Sequence, residues 1–301
     1  VQASAPIENL EVMSAYEYNG KRIIKNRKAR TKEYNLGKRI LENLPEEIPQ
    51  TGDKGFKLAD VKSGKITMEQ FVAQLSNNEL EAISRGDYVM NSPLGAKGNA
   101  GAFGGVLQSL RAKGIKPVIT TDGPSGTRLS ACCSLPLPIG TLLACSFDPQ
   151  LVEKVYSAVA DEMFAKGSDV LLAPGMNIHR NPLCGRNFEY YSEDPYLTGK
   201  IAAAAVKGIQ SHGASACPKH FACNNQEFRR NMNDSRLSER ALREIYLKGF
   251  EICVREARPK NIMTSYNRIN SVYGHYNYEL CTAILRNEWG YKGNVITDWW
   301  M

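Results

Sequence analysis

The stretch "GNVITDWW" (residues 293–300) governs how the chain is read. Asn294 to Thr297 is rich in β-branched residues, as a buried strand is, and it runs straight into an acid, Asp298, with Trp299 and Trp300 beside it. A carboxylate at the C-terminal tip of a strand, next to broad aromatic faces, presents one reactive oxygen to a sugar ring. The same residues also describe an ordinary strand ending in an Asp turn with aromatic packing. The choice between the two rests on the remainder of the chain.

Working outward, apolar runs of strand length recur: "PVITT" (117–121), "TLLACSF" (141–147), "DVLLAP" (169–174), "ASAC" (214–217) and "NIMTSY" (261–266), with "NVIT" (294–297) as the sixth. Between them lie segments with helix punctuation. Asp148-Pro149 opens a helix closed by Gly167, Asp194-Pro195 opens one closed by Gly213, and another runs from Ser238 to Pro259. Upstream, Thr67 with Gln70 and Ser76 with Glu79 have the spacing of capping boxes. Continuous apolar strands alternating with amphipathic helices predict a parallel sheet buried on both faces. The expected fold is therefore α/β, a (β/α)8 TIM-type barrel over residues 56–301, incomplete because such a barrel needs eight strands. An open doubly wound sheet is the alternative. It would announce itself with a glycine-rich phosphate loop, and neither that fingerprint nor a P-loop is found.

Residues 1–55 read differently. Asn19-Gly20 between two strand-like runs predicts a tight hairpin, and "LPEEIPQTGDKG" (44–55) reads as the linker into the barrel. With 301 residues, 43% hydrophobic and 23% charged, the chain has the composition of a globular protein. No stretch reaches the roughly 18 to 20 apolar residues of a membrane span, and no export signal is read, so a cytoplasmic location without membrane attachment is expected. The net charge of +7 is local: Lys21 to Arg39 holds nine Lys or Arg against Glu33, a balance of +8. That cluster lacks interleaved stacking aromatics and zinc-finger spacing, so it is read as a solvated face or linker and no nucleic-acid partner is expected. The eight cysteines have no metal-knuckle spacing and look like small core residues in a reducing compartment. No metal or other cofactor is expected.

The polar residues follow the strands. Asp122 ends its strand with Arg128 six residues on, Lys219 and His220 follow theirs, Tyr266 follows the next, and Asp298 the last. In a parallel barrel these tips share one face. Sugar chemistry needs that mixture: an acid to accept from neighbouring hydroxyls, Arg and Lys to donate, an aromatic face, and one carboxylate to attack the anomeric carbon. Each residue has a plain structural explanation, such as a turn for Asp122, an interior pair for Lys219 and His220, core packing for Tyr266, and neutralisation of Glu189 or Glu193 by Arg186. Their joint placement favours a site.

The strings "TDGPSGTR", "APGMNIHRNPLCGRNFEYYSEDPYLTGK", "KHFACNNQEFRRNMNDSRLSERALREIY", "MTSYNRIN" and "GYKGNVITDWW" resemble, in order, the signature blocks of glycoside hydrolase family 3, the β-glucosidase and β-xylosidase family. The resemblance covers roughly residues 100 to 301. It implies a retaining exo-β-glycosidase, most simply a β-glucosidase acting on a β-glucoside or oligosaccharide, with Asp298 as nucleophile. It also implies that Asp122, Arg128, Arg186, Lys219, His220 and Tyr266 bind the glycone, with Trp299 beside the nucleophile. The N-acetylglucosaminidase branch carries an acid/base His in a K-H-F-P-G-H-G loop; this chain reads "KHFACNNQEF" there, which argues against hexosaminidase activity.

A retaining glycosidase needs a second carboxyl as acid/base, which the family resemblance assigns to a Glu of an (α/β)6 sandwich domain, from the same polypeptide or another chain. Nothing in residues 1–301 looks like that domain. The chain is accordingly expected to be part of a longer or cleaved enzyme, and the hairpin and linker would fit the tail of a fibronectin-like module in a circularly permuted member. β-Xylosidase activity, or sugar binding without catalysis, are the competing readings.

Overall fold

The computed structural model describes residues 11–18, 21–28, 35–129 and 133–301. Strands β1 (Glu11–Tyr18) and β2 (Lys21–Lys28) pair antiparallel, with Tyr18 opposite Lys21. That register leaves two residues for the connection, as a tight hairpin requires. The Asn19-Gly20 turn itself lies outside the described residues, as do the side chains of the basic cluster up to Tyr34. At its end Arg39 is bonded 2.6 Å from Glu279 and stacks 4.6 Å from the centre of the Tyr278 ring, so this part of the cluster is docked on the main body.

In chain order the remaining strands are β3 (Ala102–Gly104), β4 (Pro117–Asp122), β5 (Val170–Leu172), β6 (Ser215–Ala216), β7 (Asp234–Ser235), β8 (Asn261–Met263), β9 (Arg268–Ile269), β10 (Val272–Tyr273) and β11 (Asn294–Ile296). β3 pairs antiparallel with β4, and β4, β5 and β6 follow in parallel. β8 and β11 form a parallel pair. Single parallel bridges, Gly175 to Lys219 and Phe221 to Thr264, extend β5 and β6 and join the continuation of β6 to β8. The parallel order is thus β4-β5-β6-β8-β11. β7, β9 and β10 make a small side sheet.

The two faces of this run bury different things. Leu171 and Ile262 pack into the large cluster under the helices. Their neighbours Val170, Leu172 and Met263 point the other way, into a compact cluster with Ala100, Cys217, Phe103, Val118, Ile296 and Trp299. One cluster receives side chains from β3, β4, β5, β8 and β11, so the strands curl round a common interior. The Trp299 indole N–H closes the circuit by donating to the carbonyl of Ala100, just before β3, at 2.9 Å.

The predicted helices form where their caps lie. Asp148 accepts from the amide of Leu151 to start the helix Pro149–Ala165, and Asp194 accepts from those of Tyr196 and Leu197 to start Pro195–Gln210. The region from Ser238 is wound as Glu239–Ala241, a π-type turn at Leu242–Tyr246, and the helix Lys248–Ala257. Pro195–Gln210 is buried nearly all round and lies between the other two long helices. A Cβ on Gly199 would sit 2.9 Å from Ile252 Cβ, and one on Gly208 would sit 2.2 Å from the carbonyl oxygen of Glu153. No helix among the described residues is long and apolar enough to cross a membrane.

One strand expectation is wrong. "TLLACSF" is not a strand; its core is the helix Gly140–Ala144. Gly140, Leu143 and Ala144 are buried while Leu142 is exposed, a helical rather than an alternating pattern. The cysteines are also mixed. Cys184, Cys217, Cys223 and Cys253 are buried as expected, whereas Cys133 and Cys145 are exposed; Cys132 lies outside the described residues.

Candidate active site

A cavity of about 730 Å³ opens at the C-terminal ends of the parallel strands, lined by Asp122, Arg128, Arg186, Lys219, His220, Asp298 and Trp299 among others. Seven of the eight residues expected from the sequence therefore meet in one place. Among the described residues no group of three or more His, Cys, Asp or Glu could hold a metal ion.

Asp122 is the last residue of β4, and the chain then turns back so that the Arg128 amide donates to the Asp122 carbonyl at 2.7 Å. The turn depends on Gly123, whose φ is +144° and whose missing Cβ would lie 1.6 Å from the oxygen of Gly126. Lys219 Nζ donates to Asp122 Oδ1 at 2.7 Å, and Arg128 Nη1 lies 3.4 Å from Oδ2. Burial pushes the Asp122 carboxyl up, but the charge and hydrogen bond of Lys219, with Arg128 and Arg186, outweigh it and hold this group below the usual carboxylate range. Asp122 is a fixed anion suited to accepting from hydroxyls.

Arg186 occupies the loop after β5. Its Nε donates to the Glu189 carboxylate, so the plain neutralisation read from the sequence is real, yet the same guanidinium also walls the cavity. The loop rests on the helix Gly140–Ala144: Thr141 Oγ1 lies 3.0 Å from the carbonyl oxygens of Asn187 and Tyr190, and a Cβ on Gly140 would meet the Glu189 oxygen at 2.4 Å.

His220 is buried and held at both backbone groups by Asn177, each bond 2.9 Å. Arg186 Nη1 lies 2.9 Å from His220 Nε2. A guanidinium only donates, so Nε2 accepts, and the ring proton sits on Nδ1 facing the Tyr190 hydroxyl at 3.1 Å. Burial, and then the charges of Arg186, Lys219 and Arg230, push the His220 pKa well below its usual value, so the ring is neutral.

Asp298 follows β11 and is 9% exposed. Its Oδ1 accepts from the Trp299 amide at 2.9 Å. Oδ2 is buried and has no hydrogen-bond partner of ordinary geometry among the described residues. Burial raises the Asp298 pKa, and Lys219, the Trp299 amide, Arg186 and Arg230 oppose that rise without cancelling it. Two carboxyls in one cavity, with pKa values driven in opposite directions, are equipped for different tasks.

Tyr266 is placed differently from the expectation. It is buried and is not part of the cavity lining. Burial, followed by the charge of Asp298, drives its pKa up. Sequence reading also missed Arg230, which lines the cavity and lies 4.4 Å from the centre of the Tyr266 ring. Nothing in "QEFRRNMND" distinguishes it from Arg229, which is turned outward. The lining residues Met90, Leu135 and Phe188 carried no sequence signal either, whereas Trp300, read beside Asp298 in the sequence, does line the cavity.

Residues 60–301 match the glycosyl hydrolase family 3 N-terminal domain. The chain belongs to glycosyl hydrolase family 3. It is 49% identical over 263 residues to a β-glucosidase of Ruminococcus albus, covering 87% of this chain and 28% of that protein. It is 44% identical over 255 residues to β-glucosidase A of Butyrivibrio fibrisolvens, covering 84% and 30%. The solved structure of a β-glucosidase from Paenibacillus barengoltzii superposes with a TM-score of 0.88 at 50% identity, covering 97% of this chain and 32% of that one. β-Glucosidase 3B of Thermotoga neapolitana, solved with glucose, gives a TM-score of 0.70 at 41% identity, covering 76% and 33%. The chain thus spans about a third of these relatives. Family 3 membership accounts for the TIM-barrel-type α/β arrangement described above.

Proposed function

We propose that this family 3 chain carries the nucleophile of a retaining exo-β-glucosidase. The observation that carries the reading is Asp298 Oδ2: a buried oxygen without a hydrogen-bond partner among the described residues, on a side chain that lines a cavity already furnished with Asp122, Lys219, Arg186 and His220. In this reading Asp122 accepts from ring hydroxyls, Lys219, Arg128 and Arg186 donate to others, and Trp299 covers an apolar face of the sugar. Oδ2 forms a bond to C1 as the bond from C1 to the leaving oxygen breaks, and that oxygen takes a proton from a general acid. Water then attacks C1 and releases Asp298.

The general acid is not supplied by the cavity as described. Asp122 is held as an anion by Lys219 and Arg128, and Glu189 is paired with Arg186. A group that must deliver a proton cannot be so committed. The reading therefore takes the acid/base Glu from another part of the polypeptide or a second chain, as the relatives' greater length allows. The test is hydrolysis of 2,4-dinitrophenyl β-D-glucoside by the intact polypeptide, since that leaving group needs little protonation. Asp298→Ala should reduce the rate by about 10⁴-fold or more. An Asp298→Ala protein that binds and cleaves as the parent does would refute the nucleophile, and binding without cleavage by the parent would indicate a sugar-binding module.

A further inference from the structure

Two helices of the outer layer bring four polar side chains together away from the cavity. The helix Pro195–Gln210 approaches the helix Pro149–Ala165 through Gly208, whose missing Cβ would lie 3.0 Å from the Ser157 amide nitrogen. That approach sets the turn Ser211 to Gly213, with Gly213 at φ +92°, on the flank of the neighbouring helix. A serine in mid-helix ordinarily turns its hydroxyl back to the carbonyl four residues earlier, here that of Glu153. Ser157 faces His212 instead, its Oγ 2.9 Å from Nε2. On the other side of the ring, His212 Nδ1 lies 2.6 Å from Asp161 Oδ1, one helical turn beyond Ser157. A carboxylate only accepts, so Nδ1 carries the proton; in the neutral ring Nε2 is then the acceptor, and the Ser157 hydroxyl donates to it. Ser211 Oγ stands 3.2 Å from Ser157 Oγ and 2.7 Å from the Gly208 carbonyl oxygen. None of the four is among the residues lining the cavity.

We propose that Ser157, His212 and Asp161 form a second reactive site on the helix layer, in which Ser157 is a nucleophile toward activated acyl esters such as aryl acetates. The order of contacts, hydroxyl to Nε2 and Nδ1 to carboxylate, lets the ring take a proton from the nucleophile while the acid fixes its tautomer. Ser157 Oγ forms a bond to the carbonyl carbon as its proton passes to His212 Nε2, and the aryl oxygen leaves with that proton. Water then attacks the same carbon and gives a proton to Nε2; the bond from carbon to Oγ breaks, and Ser157 recovers its proton as the carboxylic acid departs. The Ser211 hydroxyl, which can turn from the Gly208 carbonyl, is the donor within reach of the ester oxygen as charge develops there. Ser157 is half-buried and His212 and Asp161 are exposed, so an ester reaches them directly from solvent. Water around the site weakens charge stabilisation, which restricts the chemistry to esters with good leaving groups. None of this depends on the role of Asp298.

The test treats the intact polypeptide with an alkyl fluorophosphonate, whose P–F bond breaks as the Oγ–P bond forms, and locates the label by peptide mass spectrometry. Hydrolysis of 4-nitrophenyl acetate is followed in parallel, and far-UV circular dichroism checks that each variant is folded. The parent should carry one label, on Ser157. S157A should take none and should hydrolyse the acetate at least about tenfold more slowly, H212Q should label about 10²-fold more slowly, and S211A should slow acetate hydrolysis by about tenfold. D161N keeps the side-chain shape and should slow labelling by about tenfold or more; it carries the test if H212Q does not fold. A parent that takes no label, a label on another residue, or H212Q and D161N proteins that label at the parent rate would overturn the proposal.

Discussion

His220 Nε2 and Asp298 Oδ2 face each other at 3.7 Å without forming an ion pair. The ring is neutral because Arg186 donates to Nε2 and burial excludes a second charge. This neutrality is a statement about stability as well as chemistry. The unfolded chain protonates this His near pH 6.5, whereas the folded chain does so only well below that. Between those two values the unfolded state binds more protons, so stability falls as pH drops below about 6.5. His220→Asn should remove that part of the slope in denaturant titrations at pH 7 and pH 5. An NMR signal from His220 that titrates near pH 6.5 would contradict the account.

Lys219 is the first of the cations that oppose the burial of Asp298, and it also holds Asp122. In Lys219→Met, Asp298 should ionise at higher pH, so the acidic limb of kcat/KM moves up. The loss of a charged donor in a water-poor site should also lower kcat/KM by about 10²- to 10³-fold. Unchanged limb position in Lys219→Met would show that its charge does not reach the nucleophile.

Trp299 ties the end of the strand run to its beginning through the bond from its indole N–H to Ala100. Trp299→Phe keeps most of the apolar face and leaves that buried carbonyl unpaired, which should cost about 1 to 3 kcal/mol. Urea unfolding measures this; a change below about 0.5 kcal/mol would mean that the tie is not a structural one.

Gly208→Ala sets two effects against each other. Replacing a helical glycine gains about 0.5 to 1 kcal/mol in the helix, but here the new methyl meets the Glu153 carbonyl, and overpacking costs about 1 to 3 kcal/mol. Net destabilisation and a lower Tm are expected, and a raised Tm would show that the two helices separate freely.

Much of this arrangement was legible in the sequence because its determinants are local. The caps at Asp148 and Asp194, the apolar strands at 170–172 and 261–263, and the polar residues at strand tips are all written in short stretches. "TLLACSF" misled because a short apolar run suits a buried strand and a buried helix equally. What decides it is Gly140 meeting the Arg186 loop, a contact between residues remote in sequence. Tyr266 and Arg230 were obscured for the same reason. Residue type placed Tyr266 at a strand end, but only the folded chain shows the side chain of Arg230, remote in sequence, lying over its ring.

The central claim is that one oxygen, Asp298 Oδ2, forms a bond to an anomeric carbon. Incubation of the intact polypeptide with 2,4-dinitrophenyl 2-deoxy-2-fluoro-β-D-glucoside, followed by peptide mass spectrometry, tests it directly. The account predicts a single fluoroglucosyl adduct on the peptide bearing Asp298, absent from Asp298→Ala. An adduct on Asp122, Glu189 or any other carboxylate would contradict it.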